Sequence, residues 1–500
     1  RGNLTGLSGD TGQVIWKNTS TIVTGYGSPA AGDIDGDGFI DIIIPNNDRS
    51  KLHVFERDGT LKWTAGTSPI FSNSPRDAVA LADIDHDGDV EIIHGRRAYD
   101  HLGNLLWEGS GDYGGDTGYG TLPIIVDLDL QGDMEIIAGR TAYRSDGSTL
   151  WRRTDLPSEG GFTAIGNFNQ DDNPEIVLVS GGSVYLLDNH GQTIWGPVIL
   201  PGGGSGGAPT VGDFDGDGEP EIGIAGGRNY VVLETNGSIK WTSKTQDASS
   251  HRTGSSLFDF NLDGTVEVVY ADELYLRIYD GSTGTIIKQH RLGSGTTLEY
   301  PVIADIDGDG QAEIVVGSNS GFSSRRGLFV FEGKHDNWAP TRAIWNQHSY
   351  HITNINDDGT VPQFEQPSWL SHNSYRLNTF ADRDPRLLTD ITASVLTIHD
   401  NGNNQPASIS VRIGNAGAGD LGSEIGIAFY QGAPASNGIL LGVVSINSLA
   451  KGTYQEIELN TIDSKGYKFT VAYEGDKTSF NLTLDQTDQD NIPPFAQLTN

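Results

Sequence analysis

Along the first two thirds of the chain, short apolar runs alternate with turns rich in Gly, Asp and Asn, and nothing repeats with the 3.6-residue period of a helix. The same order of parts recurs. A brief apolar strand such as Pro301-Val-Ile-Ala leads into an acidic stretch, and a β-branched run such as Glu91-Ile-Ile-His94 or Glu313-Ile-Val-Val follows. Next comes a hairpin: Leu52-His-Val-Phe55, a turn through Asp58-Gly59, then Leu61-Lys-Trp63. Asp-Gly and Asn-Gly pairs (Asn236-Gly237 is another) are the expected chemistry of tight hairpin turns. The pattern predicts four strands per unit.

The acidic stretch is Asp33-Ile-Asp35-Gly-Asp37-Gly38-Phe39-Ile-Asp41 in its first copy. Carboxylates at positions 1, 3, 5 and 9 converge on one point, Gly38 permits the sharp turn, and the Phe39 carbonyl supplies a further oxygen. Six to eight hard oxygens at variable geometry suit Ca²⁺ better than Mg²⁺. Six more copies follow. They are Asp83-Ile-Asp85-His-Asp87-Gly88-Asp89-Val-Glu91, Asp127-Leu-Asp129-Leu-Gln131-Gly132-Asp133-Met-Glu135, and Asn167-Phe-Asn169-Gln-Asp171-Asp172-Asn173-Pro-Glu175. Then come Asp213-Phe-Asp215-Gly-Asp217-Gly218-Glu219-Pro-Glu221, Asp259-Phe-Asn261-Leu-Asp263-Gly264-Thr265-Val-Glu267, and Asp305-Ile-Asp307-Gly-Asp309-Gly310-Gln311-Ala-Glu313. Occupancy is expected in the loops opening at Asp33, Asp83, Asp213, Asp259 and Asp305. Binding is expected to be weak or lost in the third, and weakest in the fourth, where Asn167 and Asn169 replace acids.

A period of roughly 40–50 residues signals a solenoid or propeller. Seven units of four strands give a seven-bladed β-propeller. Six of the nine tryptophans (Trp16, Trp63, Trp107, Trp151, Trp195 and Trp241) end the hairpins, with Ile287 in the seventh place. A large aromatic at one repeat position suits packing between blades better than a ligand cage. The segment Leu4–Trp16 reads as a hairpin without a loop of its own, expected to pair around Asp305–Gly317 and close the ring. Because Gly327–Glu332 reads as another third strand, an eighth, split blade is the alternative.

Charge and cysteine usage narrow the setting. Net charge is −34, and positions 1, 3, 5 and 9 of the loops hold 24 of the carboxylates. Metal-free, these clusters repel internally, so folding should depend on calcium. The acidity argues against nucleic acid and anionic membrane as partners. With no cysteine, disulfides, zinc–thiolate sites and thiol catalysis are excluded. Calcium sites of moderate affinity fill where free calcium is high, so a secreted or cell-surface location is expected. No 18-residue apolar span argues for membrane insertion, and the start at Arg1 reads as a processed product or fragment.

Strand, D-x-D-x-D-G loop and strand recurring together over residues 1–333 resemble the FG-GAP/VCBS repeats of integrin-α-like propellers, with Gly27-Ser28-Pro29 and Gly207-Ala208-Pro209 matching the Gly-x-Pro element ahead of the loop. The resemblance implies five to seven Ca²⁺ ions held by positions 1, 3, 5, 7 and 9, which adds Phe39, Asp89, Asp133, Asn173, Glu219, Thr265 and Gln311 to the residues above. Residues 334–389 form an aromatic and amide-rich bridge, similar to a W-x-P-T-R-x-I-W-N-Q-H stretch of bacterial surface proteins. A polar bridge packed on the propeller is favoured over a metal or glycan site, since His348 and His351 have no carboxylate at ligand spacing. Residues 390–490 alternate as an immunoglobulin-like β-sandwich. There Asn415-Ala-Gly-Ala-Gly-Asp420, Ala428-Phe-Tyr430 and Leu440-Leu-Gly442 resemble the CARDB type, and 491–500 read as a linker.

The expected fold is therefore all-β, a calcium-loop propeller plus a sandwich. The expected role is a non-enzymatic extracellular adhesion or scaffold protein with a protein or glycan partner, alone or as a homo-oligomer or filament. The alternative is a lyase-like carbohydrate enzyme or lectin. No Gly-x-Ser-x-Gly or His-Glu-x-x-His motif occurs, and Gly202–Gly207 lacks the Lys-Ser/Thr of a phosphate loop.

Overall fold

In the computed structural model, described residues run from 2 to 485, excepting 47–49, 67–75, 117–119, 158–159, 297, 299, 320–325, 334–337, 381–390, 400–407, 416–424, 432–438, 447, 451–452, 461–467 and 474–481. The chain divides into two compact units. One holds Arg1–Asp259, Asp263–Phe331 and Thr341–Ala381; the other holds Phe260–Leu262, Glu332–Pro340 and Asp382–Asn500.

The first unit is a seven-bladed β-propeller. In blade one, Ala30–Gly32, Asp41–Pro45, Lys51–Phe55 and Leu61–Gly66 form a four-stranded antiparallel sheet in chain order. Blades two to six repeat it, opening at Ala80, Ile124, Gly160, Thr210 and Ser255; blade seven has three strands, Val302–Ala304, Glu313–Ser318 and Gly327–Phe331. Burial grades outward. The second strand Glu175–Ser180 is buried throughout, whereas the outermost strand Ile286–Arg291 is exposed throughout. The near-continuous Ile and Val of second strands therefore follow from burial on both faces.

Blades are stitched by tryptophan. Trp63 Nε1 donates to the His101 carbonyl at 3.0 Å, Trp151 to Asn189 at 3.1 Å, and Trp195 to Thr235 at 3.0 Å, each on the next blade's hairpin turn. Each ring lies over a turn glycine: a Cβ on Gly103, Gly147, Gly191, Gly237 or Gly284 would come within 2.4–3.0 Å of it. Those glycines also hold φ between +70° and +87°. Each must therefore be glycine for two reasons, backbone hand and ring clearance.

The ring closes differently from expectation. The hairpin of Thr5–Leu7 and Val14–Lys17 forms a two-stranded sheet by itself and pairs with no strand around Asp305–Gly317. It meets blade seven through its turn, where a Cβ on Gly9 would overlap the Ile306 carbonyl, and meets blade one through Trp16, which covers Gly59.

Residues 341–379 run along the ring's axis. Their backbone and side chains bond the innermost strand, or the residue just beyond it, in six blades: Asn346 O to Ala31 N, Gln347 Oε1 to Leu81 N, Asn373 Oδ1 to Asn167 N, Tyr375 O to Val211 N, Arg376 O to Leu257 N, and Asn378 Nδ2 to Ile303 O. A segment touching that many inner strands is an axial plug. Within it Arg376 is buried against Ser255 O, Ser256 Oγ and His348 O, with the Tyr300 and Trp345 rings beside it. The fold also supplies the carboxylate that spacing did not show. His351 Nε2 meets Glu365 Oε1 at 2.5 Å, while His351 Nδ1 faces the Ser349 carbonyl. Because that carbonyl only accepts, Nδ1 carries a proton, and the Nε2 contact is that of an imidazolium with a carboxylate. Burial opposes the charge, but Glu365 raises the His351 pKa overall.

The second unit's sheets are Ile391–His399, Ser408–Asn415 and Tyr454–Asn460, and Ile439–Ile446, Ile425–Gln431, Lys468–Tyr473 and Leu482–Asp485, consistent with a β-sandwich. Alternation sets the inner faces: Ile409, Val411 and Ile413 are buried, as are Ile427 and Phe429. Residues 416–420 of the Asn415–Asp420 motif, and 491–500, lie outside the described residues.

The tryptophan stitch yields a comparison of two left-handed glycines. Gly203→Ala, at φ +75° with open space around it, should lose about 1 kcal/mol from backbone conformation alone. Gly147→Ala should lose about 1–3 kcal/mol more, because its Cβ meets the Trp107 ring. Equal losses in urea unfolding would remove the stitch as a source of stability.

Candidate metal centres

Each acidic loop joins the first and second strands of its blade, with position 1 just after the inner strand and position 9 opening the next. Geometry repeats more faithfully than sequence. Position 4 has positive φ in all seven loops, whether it is Gly36, Gly216 and Gly308 or His86, Leu130, Gln170 and Leu262. For the last four this costs about 1–2 kcal/mol each, a strain that tends to gather at functional sites. Position 6 is also left-handed in every loop but the fourth, where Asp172 stands in place of glycine. Position 1 carboxylates take the position 6 N–H, as in Gly38 to Asp33 and Gly88 to Asp83, both 2.9 Å. Position 9 reaches back to the position 2 N–H in Glu91, Glu135, Glu175, Glu221 and Glu313, at 2.7–3.0 Å.

Carboxylate oxygens within 4.8 Å of one another form five groups: Asp33, Asp35 and Asp37; Asp83, Asp85 and Glu91; Asp127, Asp129 and Glu135; Asp213, Asp215 and Glu221; and Asp305, Asp307 and Glu313. The third loop, expected to be weak, converges with the rest. The sixth does not form such a group. Asp263 there accepts from the Thr265 hydroxyl at 2.5 Å.

Three position 7 side chains bond groups outside their own acidic cluster. Asp133 accepts from Ser145 Oγ, Asn173 from Asn189 Nδ2, and Glu219 from Gln170 Nε2. In those three loops the position 7 backbone carbonyl is the group left to face the acids.

The loops balance their negative charge in different ways. In the fourth, Asn169 Nδ2 lies 3.0 Å from Asp171 Oδ2 and 2.7 Å from Glu175 Oε1, so an amide occupies the middle. In the first, Lys62 Nζ lies 2.6 Å from Asp35 and 2.9 Å from Asp41. Lys240 does the same in the fifth, 2.5 Å from Asp215, 3.4 Å from Glu221 and 3.0 Å from Glu234. Burial opposes both ammonium charges, but these carboxylates raise both pKa values overall. The sequence carried a signal for them. Each lysine precedes a stitching tryptophan, where the other blades have Leu106, Leu150 and Ile194.

Burial, with the neighbouring carboxylates adding to it, pushes Glu91 and Glu313 up to about 8 and Glu135 to about 7. Buried oxygens without a hydrogen-bond partner also fall in the loops: Asp83 Oδ1, Asp215 Oδ1 and Gln311 Oε1. Unpaired buried acceptors and all-oxygen donors fit a hard cation.

Comparison with known proteins agrees with the repeat. The model of the FG-GAP-like repeat matches residues 33–94, 167–224 and 259–316. These three stretches are similar to that repeat. No curated protein matches it. Among solved structures, the biofilm matrix protein Bap1 of V. cholerae superposes with a TM-score of 0.67 at 22% identity, over 76% of this chain and 89% of that one. The rhamnogalacturonan lyase YesW gives 0.44 at 19% identity, over 65% and 66%. A protein of unknown function from Desulfotomaculum acetoxidans DSM 771 gives 0.33 at 13%, over 57% and 91%. The first likeness is one of fold; the other two are too distant for comparing sites.

Metal-free protein should lose stability as pH rises. Glu91, Glu135, Glu175, Glu221 and Glu313 all have folded pKa values raised above 4.5, so between pH 4.5 and about 8 the folded state binds more protons than the unfolded one. Melting temperature in a chelator should therefore fall from pH 5 to pH 8, and saturating calcium should abolish that fall. Lys240→Met should lower the metal-free melting temperature and tighten calcium at loop five. Weaker calcium binding in isothermal titration would show that the lysine assists the site instead of competing for it.

Proposed function

We propose that this chain is a calcium-stabilised scaffold or adhesion protein that works outside the cell. The observation that carries this reading is the set of five converging carboxylate groups repeated around one ring. A catalytic metal needs one site with an open position, whereas ions that hold each blade's first turn are needed in every blade. Positions 1, 3, 5 and 9, with the position 7 carbonyl, would hold each ion, which would supply the positive charge these clusters lack. Loops two, three and seven are the strongest sites on this reading, and loops one and five exchange an internal ammonium for the ion. Loop six has fewer converging acids, and loop four is organised without metal.

The fold likeness to a protein described as a biofilm matrix protein supports the extracellular setting. Among the described residues no helix is long and apolar enough to cross a membrane. The partner on this reading is a protein or glycan of the cell's surroundings, and the propeller gives it a rigid platform.

Calcium removal, glycan-array binding and reducing-sugar release test the reading together. Each site filled at a hundredfold excess over its Kd adds about 2.7 kcal/mol. Chelation should therefore lower the propeller's melting temperature by many degrees, and re-added Ca²⁺ should restore it where Mg²⁺ does not. Release of reducing ends from polysaccharide would overturn the scaffold reading in favour of an enzyme. An unchanged melting curve in chelator would overturn the structural role of the metal.

A further inference from the structure

Loop four is built from different groups than the loops around it. Where loops two, three and seven carry Asp at positions 1 and 3, it carries Asn167 and Asn169. A carboxylate only accepts hydrogen bonds, whereas an amide donates two and accepts as well. Loop four turns both capacities on itself. Asn167 Oδ1 accepts from Gln170 N at 2.7 Å, and Asn167 Nδ2 donates to Asp171 O at 2.5 Å. Asn169 Oδ1 accepts from Asp171 N at 2.8 Å, while its Nδ2 bridges Asp171 and Glu175. Positions 1, 3, 5 and 9 are thus tied to one another by the protein's own donors.

The axial plug is latched to this loop. Ser368–Ser371 make a helical turn, and the N–H groups of His372 and Asn373 both close on the Ser368 carbonyl, at 2.8 and 3.0 Å. Asn373, at φ +43°, then lays its side chain against the backbone of Asn167. Asn167 N donates to Asn373 Oδ1 at 2.8 Å, and Asn373 Nδ2 donates to Asn167 O at 2.9 Å, a two-bond exchange of the kind antiparallel strands make. Trp369 Nε1 donates to the position 6 carbonyl, Asp172 O, at 2.9 Å. Just beyond Asn373, Tyr375 and Val211 exchange both backbone bonds, at 2.9 and 3.2 Å. Val211 belongs to blade five's inner strand, and Gln170 Nε2 joins loop four to loop five at Glu219 Oε1, 2.6 Å away. The Trp369 and Tyr375 rings are buried in the apolar cluster that also holds Ile176, Val211 and Ile222.

We infer that loop four and residues 368–375 form a clasp that holds the plug on the ring whether or not calcium is bound. The inference rests on the calcium reading of the other loops. In loops two, three and seven three carboxylates meet in one place, and withdrawing a cation leaves them to repel one another. In loop four the Asn169 amide stands in that place, so withdrawing metal takes nothing from it. The latch itself is made of backbone, amide and indole groups, which carry no charge. Calcium withdrawal then loosens the acidic loops of blades two, three and seven while the plug stays seated at blades four and five. Returned calcium meets a ring whose axis is already in place.

Hydrogen exchange of the full chain, followed in calcium and in chelator under conditions that keep it folded, tests the clasp. Chelation should speed exchange about tenfold or more in residues 84–91, 128–135 and 306–313, and less than about twofold in 168–175 and 368–376. Asn169→Asp restores an acid and removes the bridging donor, so exchange in 168–175 should become as chelator-sensitive as in the other loops. Asn373→Ala should speed exchange at 368–376 by the same factor in calcium and in chelator. If chelation of the unaltered chain speeds exchange in 168–175 as much as in the other three loops, the clasp is overturned and the calcium reading stands. If it speeds exchange at 368–376 alone, the latch is overturned too. Exchange unchanged in every loop overturns the calcium reading and the clasp together.

Discussion

A cluster of carboxylates drawn to one point needs positive charge at its centre, and the propeller is arranged around that need. Each loop turns a blade's innermost strand into its second strand, so the charge cluster and the sheet edge are one piece of chain. If the cluster flies apart, the first two strands lose their register. This chain answers the need in part with an amide of Asn169 and with ammonium groups of Lys62 and Lys240. The internal cations keep parts of the ring together without metal. The position 9 carboxyls of loops two, three and seven carry raised pKa values that follow from burial and from crowding by neighbouring carboxylates.

The acidic loops, the strand order and the tryptophan stitch were legible in the sequence because they are local and repeat. Position 6 glycine could be read directly, since only a residue without a Cβ takes φ near +90° at no cost. The left-handed position 4 could not, because His86 and Leu130 give no hint of it. In loop three, Gln131 at position 5 suggested a lost ligand. Asp127, Asp129 and Glu135 suffice to bring three carboxylates together.

What escaped the sequence depends on partners far apart along the chain. Lys62 reaches Asp41 across the width of a blade, and Asn373 meets Asn167 over a separation of 206 residues. The dense amides and aromatics of residues 341–379 showed a polar, packed segment, but nothing in their order said that they face many blades at once. Only a closed ring defines an axis for them to fill. The place of the first hairpin likewise became visible only in the contacts of Gly9 and Trp16 with blades seven and one.

The axial plug changes the kind of transition this protein undergoes. Repeat proteins built from nearest-neighbour contacts fray, because each module loses little when a distant one opens. Here one strand of chain is bonded to blades on every side. Detaching any of those blades exposes plug groups such as Arg376 and Asn378 that are buried. The ring and its plug should therefore open as one event, slowly, since the long-range contacts that form last must break together. A high barrier to that event protects a folded chain from proteolysis better than equilibrium stability alone.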